Sequence, residues 1–409
     1  MNKDFQVIVI GAGLSGLACA YAAAKADISV LLLERQDFPG RKFAASSMGK
    51  AAVSNSDVNF TRFHGHDARF VSEALEAFDP YEYTATDGPD IHQHEHYGLM
   101  QAGDGPDDFI VWLTEAYLAA GGEISTGTLV ESVSEGFVLG IDGGDSVTCE
   151  KLVLACGGPN LPKLGGTLLG CDAATVLGHS VRAPLAGQVG LVTKEDWPAK
   201  AVGCWMDVKL SVLDGKKTVA ESTGSVLFTR SGMVGQVVYN VSDAVTSMIS
   251  ADKTPMLKIN FYPTMSTDEV AEWMFRTFGE GTKEPAVQAL DKMLPANIGA
   301  PLLARMKLKP HARVMQLEKF QRDKLLIDVT EGELTVVGTL GIRAAETFSG
   351  GVSTREVDPR TFQSKVCDGL YLVGSMLDID ADWGGFTQHF SVGSGILAGQ
   401  SLAAEYKSR

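Results

Sequence analysis

Six cysteines are scattered through 409 residues, at positions 19, 149, 156, 171, 204 and 367, with no Cys-x-x-Cys and no metal-type spacing. That scarcity argues against a disulfide framework or a cysteine-ligated zinc site and predicts a reduced, cytoplasmic protein. Long apolar runs are also missing. None approaches the roughly 18 residues that a membrane span needs, and the run from Phe5 to Ile10 is too short for a signal-peptide core. The sequence therefore predicts neither export nor a membrane span. Basic residues are outnumbered, 35 against 50 acidic, for a formal charge of −15. Such a balance argues against broad electrostatic attraction to nucleic acid or anionic membrane. No internal repeat or low-complexity segment is visible. A small molecule is the partner class best supported, and the pattern assigns no oligomeric state.

What is present is organised around Val7 to Glu34. A β-branched strand, Phe5 to Ile10, stops at Gly11-Ala12-Gly13-Leu14-Ser15-Gly16, an alanine-rich helical pattern runs to about Ala26, and Ile28 to Leu33 reads as a buried parallel strand closing on Glu34. Gly11 allows the tight turn, Gly13 lets a pyrophosphate approach the backbone, and Gly16 lets the helix pack close to the strand. The helix N-terminus offers N–H groups and a positive dipole end to phosphates. Glu34, about 20 residues on, is placed to accept hydrogen bonds from a ribose. With 45 glycines in 409 residues, chance alone supplies about 0.5 such glycine patterns. The strand before, helix after and acidic end of the second strand are what separate a dinucleotide site from a plain turn.

Arg35 and then Gly40-Arg41-Lys42 follow, a basic turn that can neutralise a pyrophosphate or simply be a solvated loop. Helices are expected at 67–78 and 106–120. Between them, Ile91 to Tyr97 alternates so that His92, His94 and His96 share one strand face, either a metal site or a polar face near solvent or substrate. Gly127 to Val133 reads as a strand, 136–148 as a hairpin, and Lys151 to Gly158 as a buried strand whose small-residue end leaves room for a cofactor. From about Pro184 the texture changes. Gln188 to Tyr239 alternates as antiparallel β structure, and Ser266 to Glu269 is a capping box opening a helix to about Phe278, with further helical patterns at 284–294 and 296–306.

The first texture returns near Gly338, with a turn at Ser349 to Val352, a buried strand at Gly369 to Gly374, and a final helix from about Phe386 to Tyr406. A second strand, glycine and helix N-terminus this far along the chain is hard to explain in a nicotinamide dehydrogenase. It is expected in a large flavin enzyme, whose C-terminal segment closes over the ribityl chain. The positive end of the final helix would then face the flavin N1–C2=O edge and stabilise the reduced ring. Gly393, Gly395 and Gly399 within that helix read as close helix packing.

These residues resemble the flavoprotein family that includes aminoacetone oxidase-like and BaiN-like proteins and a ribosomal RNA dihydrouridine synthase. Residues 40–55 align without a gap on the family's G-R-K-L-L-I-S-G-G-G-R-C-N-V-T-N, with Gly40, Arg41, Lys42, Ser46, Gly49, Val53 and Asn55 agreeing. Leu177-Gly178-His179 matches a recurrent L-G-H, read as structural, and Phe228 to Gly232 resembles F-T-H-x-G. From Ser349 to Gly399 the motifs G-G-V-S, D-P-x-T, S-K, G-L-Y-x-x-G, L-D-x-D and G-G-[YF] recur in order.

The resemblance implies an α/β fold. A Rossmann-like FAD-binding domain of the two-dinucleotide-binding-motif type would be built from 1–187 and 336–409. An inserted substrate or cap domain at 188–335, β-rich over 188–262 and helical over 263–335, would cover the flavin. Carried over by position, Gly11, Gly13, Gly16, Glu34, Arg41, Lys42, Gly374, Asp378, Gly384, Gly385 and Phe386 are expected cofactor contacts, completed by Ala12, Ser15, Arg35, Gly40, Val130 and Gly157. The departures mark a divergent branch. The family's R-C-N is Lys50-Ala51-Ala52, the two glycines before it are Ser47 and Met48, its G-E is Gly374-Ser375, its inserted-domain histidine is Arg230, and its S-G-P is Val234-Gly235-Gln236.

The expected function is FAD-dependent oxidoreduction, a hydride passing between a small-molecule substrate and flavin N5, with FAD held noncovalently. NAD(P)H is a candidate electron donor, although no second glycine fingerprint is present. His389 and Asp382 are the expected acid–base residues, with His64 and His66 as second choices, Trp383 as a stacking wall, and a structural role as the alternative for each histidine. No metal site is assigned. Competing readings are a flavin-dependent RNA uridine reductase, a non-catalytic flavin-binding sensor or scaffold, and, weakest, an NAD-dependent dehydrogenase.

Overall fold

The computed structural model describes residues 5–46, 51–95, 97–278, 282–309 and 311–408. The chain divides into two compact units, Met1–Pro184 with Glu346–Arg409, and Leu185–Ala345.

The first unit is built on the strand Phe5–Ile10, whose Val7 to Ile10 are all buried. It pairs in parallel with Val30–Leu33 on one side and Ser146–Leu154 on the other. Glu123–Ser125 and Leu370–Leu372 extend the parallel sheet at its two edges. Near-continuous Val, Ile and Leu suit strands covered on both faces. An antiparallel meander, Val130–Ser134 and Val138–Ile141, continues from the strand Ser146–Leu154.

The first helix, Leu14–Ala24, starts at the glycine turn, and the final helix, Phe386–Lys407, lies against it. Their contact is backbone to backbone. A Cβ on Gly395 would collide with Ser15 O, one on Gly399 would stand 2.5 Å from Cys19 O, and one on Gly393 would collide with Ala74 O. Ala18, Ala22 and Ala23 keep the facing side of the first helix equally small.

Several elements differ from their sequence expectation. Residues 67–78 form a 3-10 turn, Ala68–Val71, and a short helix, Ser72–Glu76, because Asp67 Oδ1 accepts from Arg69 N and sets a tight start. Ser349 to Val352 is part of a strand, Thr347–Val352, that pairs with Val181–Gly187, rather than a turn. Its glycines, at φ +94° and +111°, let that strand pass between Ala183 O and the backbone of Met376.

The second unit is a closed six-stranded antiparallel barrel of Leu191–Thr193, Trp205–Asp214, Lys217–Thr229, Gly232–Val234, Met256–Asn260 and Gly332–Thr339. Its last strand follows the helical block. Gln236–Ser250 is a helix, not the end of a β region: Val237, Val238, Val241, Val245 and Met248 recur at helical spacing and are buried. Thr267–Thr277 opens with the expected capping box of Ser266 and Glu269. The later helices are shorter than expected, Ala286–Leu290 and Gly299–Arg305, and are joined by Lys319–Thr330.

Among the described residues no helix is long and apolar enough to cross a membrane. Gly395→Leu is expected to destabilise the protein by at least about 2 kcal/mol, because two helix backbones must separate. Gly338→Ala, where an added Cβ meets nothing within 4 Å, is expected to stay within about 0.5 kcal/mol of the parent. Thermal or denaturant unfolding of the two variants checks both.

Candidate functional site

The glycine turn has the shape its sequence demands. Gly11 at φ +103° brings the chain so near Ala155 that a Cβ would stand 2.5 Å from Ala155 O, and a Cβ on Gly16 would collide with Gly11 O. Gly13 differs from both, since a Cβ there would meet nothing within 4 Å. Open space therefore faces the first turn of the first helix, whose N-cap, Gly13, makes no side-chain capping bond. That is the arrangement a pyrophosphate needs.

Glu34 stands at the rim. Its Oε2 accepts from Ala12 N at 2.8 Å and its Oε1 from Gln36 N at 2.8 Å. A carboxylate oxygen has a second lone pair, so both remain able to take a ribose hydroxyl. Thr128 N donates to the backbone O of Glu34 at 2.9 Å, so Val130, buried at the start of its strand, lies two residues beyond that contact. Arg35 is exposed.

The basic turn folds back on this cradle. Gly40, at φ +72° with no room for a Cβ beside Ile110, donates its N–H to Ala12 O at 2.9 Å. Arg41 Nη1 donates to Gln36 Oε1 at 2.8 Å, and its guanidinium lies over the Phe38 ring. Lys42 Nζ donates to Gly158 O at 2.8 Å and to Asn160 Oδ1 at 3.2 Å. Both acceptors are neutral, and among the described residues no carboxylate lies within ion-pair distance of Lys42. Desolvation pushes its ammonium down to about 8, against the weaker opposing pull of Glu34.

Gly157, at φ +62°, marks where the strand end, the basic turn and the C-terminal segment meet. A Cβ there would be 3.7 Å from Ser375 Oγ and 3.8 Å from Lys42 Nζ. Gly374 sits directly on Ser15, whose hydroxyl excludes any Cβ, and its N–H donates to Ser394 Oγ at 3.0 Å. The neighbouring Cys156 is held as a thiol, its buried group pushed up to about 12.

The remaining residues gather at the start of the final helix. Gly384 and Gly385 take φ +134° and +91°, and the N-cap Gly385 makes no side-chain capping bond. Phe386 is buried, with the Arg62 guanidinium 5.8 Å from its ring centroid. Thr387 Oγ1, in the first turn, is buried without a hydrogen-bond partner among the described residues. Asp378 is gripped through both oxygens by Arg182, at 2.7–3.2 Å.

The two residues expected to handle protons belong to separate networks. His389 is 2 % exposed. Its Nε2 faces Leu75 O at 3.0 Å, which assigns the proton to Nε2 and leaves Nδ1 to accept from the Ser54 hydroxyl at 2.7 Å. Burial also lowers its affinity for a second proton. Asp382 receives Arg62 Nη1 at 3.2 Å and His64 Nε2 at 2.8 Å, while Arg62 also pairs with Asp57. His66 meets Arg355 instead, at 3.1 Å. Trp383 is buried edge-on to Tyr97, with centroids 5.6 Å apart.

His94 bonds Gln101 at 3.1 Å and His92 lies 3.7 Å from Asp104. His96 is outside the described residues, as are Ser47 to Lys50 of the altered loop, and no group of three metal-ligating side chains occurs among those described. The site roles of Asn55, Arg62 and Asn160 were absent from the sequence reading. The agreement of Asn55 with the family motif was the one available signal.

Open space at Gly13 and, among the described residues, an ammonium without a countercharge and an unpartnered hydroxyl at a helix start fit FAD, whose pyrophosphate and ring edge would supply the partners. Comparison with known proteins agrees. The HI0933-like protein Rossmann domain family matches residues 5–401. A 3-dehydro-bile acid delta(4,6)-reductase of Clostridium scindens is 28% identical over 407 residues, covering 97% of this chain and 99% of that one. A ribosomal RNA dihydrouridine synthase of Escherichia coli is 26% identical over 423 residues, covering 99% and 100%. With nearly its whole length in register with that family, this chain belongs to the HI0933-like Rossmann family of FAD-dependent oxidoreductases.

Proposed function

We propose that this protein binds FAD noncovalently and uses it to move a hydride to or from a small-molecule substrate, with NAD(P)H as electron donor. The observation that carries the reading is Lys42, a desolvated cation with no ion-pair partner among the described residues, next to Gly157 on a basic turn that Gly40 N–H ties to Ala12 O of the glycine turn, where Gly13 leaves open space. A charge taken out of water needs a partner, and a pyrophosphate is one. When bound, the flavin supplies hydride chemistry at N5.

Within that reading the chain's residues hold and orient. Glu34 takes the ribose hydroxyls, the first helix start and Lys42 take the phosphates, and the final helix start meets the ring edge. His389 has both ring nitrogens engaged and little access, which supports positioning rather than proton transfer. Asp382 and the half-exposed His64 form the acid–base candidate, because a carboxylate that fixes one imidazole nitrogen orients the other.

A small-molecule substrate is supported by the named activity of the Clostridium scindens relative and by the charge of −15. The relatives named for rRNA dihydrouridine synthesis supply the competing substrate. A cytoplasmic location is proposed from six free cysteines.

Purified protein is expected to show flavin absorption bands that bleach on anaerobic addition of NADH or NADPH and return in air. Bands that persist with both nicotinamides would remove them as donors, and a colourless protein that takes up no FAD on reconstitution would remove the assignment. Tight RNA binding that weakens steeply with salt would favour the RNA substrate.

Gly13→Val is expected to keep the fold, since Gly13 has an ordinary φ of −80° and space for a side chain, yet to weaken FAD binding by about 100-fold or more, about 2.7 kcal/mol. Unfolding of the apoprotein alongside FAD titration separates the two effects.

Lys42 gives the pH dependence. A phosphate beside it raises its pKa, so FAD binding takes up a proton only above the free-protein value of about 8. Affinity is expected to be flat below that pH and to fall by up to about tenfold per unit above it. Lys42→Gln should bind more weakly and lose this dependence.

A further inference from the structure

One buried amide grips the turn that launches the final helix. Asn55 is 4 % exposed. Its Nδ2 donates to Gly384 O at 2.8 Å and to Tyr97 O at 2.9 Å, and its Oδ1 accepts from Asp57 N at 3.0 Å. Both amide protons are committed, and they tie together three segments separated by 42 and 329 residues.

The turn has little means of fixing itself. Gly384 and Gly385 carry no side chains, both take positive φ, and the helix they open has neither a side-chain cap nor an acidic residue in its first turn. Its direction is set by what holds it from outside. The Asn55 amide pulls on Gly384 O, and Ser54 O packs so closely on Gly385 that any Cβ would collide. One turn further, the Ser54 hydroxyl meets His389. The strand Ala52–Asn55 is thus a saddle for the helix start, and Asn55 is the part of it that makes a directional bond to the turn.

We infer that Asn55 is a positioning residue that aims the open N-terminal end of the final helix and thereby tunes the midpoint potential of the bound flavin. The inference rests on the FAD reading above. A helix N-terminus favours negative charge, and the effect fades within a turn, so it depends on where the first N–H groups stand. Removing Asn55 leaves the buried Gly384 O and the part-buried Tyr97 O without these donors. The turn would then rearrange to find other donors, and the ring would lose stabilisation of the charge that reduction adds. The potential should fall.

The test is an anaerobic dithionite titration of the FAD-loaded full-length protein against a reference dye, at one pH, for the parent, Asn55→Ala, Asn55→Ser and Leu113→Ala. Leu113 is fully buried in the helix Asp108–Ala119, away from the turn in sequence, and serves as a destabilised control. Asn55→Ala is expected to lower the potential by at least a tenfold change in the reduced-to-oxidised ratio, about 30 mV for two electrons. Asn55→Ser keeps a short donor, should shift less, and stands in if alanine prevents folding. Leu113→Ala should lose thermal stability with the potential unchanged. An unshifted potential in the Asn55 variants with flavin still bound would overturn the inference, as would an equal shift in Leu113→Ala. A parent that takes up no flavin would overturn the FAD reading and this inference with it.

Discussion

Two helices that meet backbone to backbone hold the flavin-binding unit together. Gly395 and Gly399 of the final helix rest on Ser15 and Cys19 of the first, and a Cβ at either glycine would push them apart. Close contact leaves the N-terminal turns of both helices in one unit, with Gly374 lying on Ser15 and Gly384–Gly385 held by the strand Ala52–Asn55. Because Ser15 meets Gly395 and Cys19 meets Gly399, the two helices run parallel, with the final one starting roughly two turns ahead of the first. Neither first turn contains an acidic residue. On the FAD reading, an extended anionic dinucleotide would answer both.

Lys42 adds positive charge of its own. An ammonium facing two carbonyl-type oxygens is solvated but not neutralised, and desolvation weakens its hold on the proton. Glu34 does not quench it, because its oxygens are turned to Ala12 and Gln36. On the FAD reading, the carboxylate would serve the sugar end of the site and the ammonium the phosphate end. Their separation allows one cradle to receive both neutral hydroxyls and anionic oxygens.

Local pattern made the first strand, glycine turn and helix readable, because Gly11 and Gly16 answer to neighbours within the motif or in the adjoining strand. The capping box at Ser266 was readable for the same reason. Gln236–Ser250 was hidden by its valines, whose β preference outweighed their helical spacing until packing against the barrel decided the matter. Ser349 to Val352 looked like a turn because glycine pairs commonly make turns, whereas here they permit a strand to pass close to two other backbones. His389 stands beside the glycine pair in sequence, but its helix turns it toward Leu75 and Ser54. Asn55 matched a family motif without revealing a role, since its partners lie at Tyr97 and Gly384.

The division of the chain has a consequence for its synthesis. The first helix leaves the ribosome early, but the helix that covers it follows the barrel unit, Leu185–Ala345, and the last parallel strand. Until then the small-residue face of the first helix lacks its partner, and the strand Ala52–Asn55 has no helix start to hold. Domains tend to fold as their chain emerges, so the barrel can complete itself while the older Rossmann segment still waits. On the FAD reading, cofactor capture would be completed late, with the arrival of the final helix rather than with the appearance of the glycine turn.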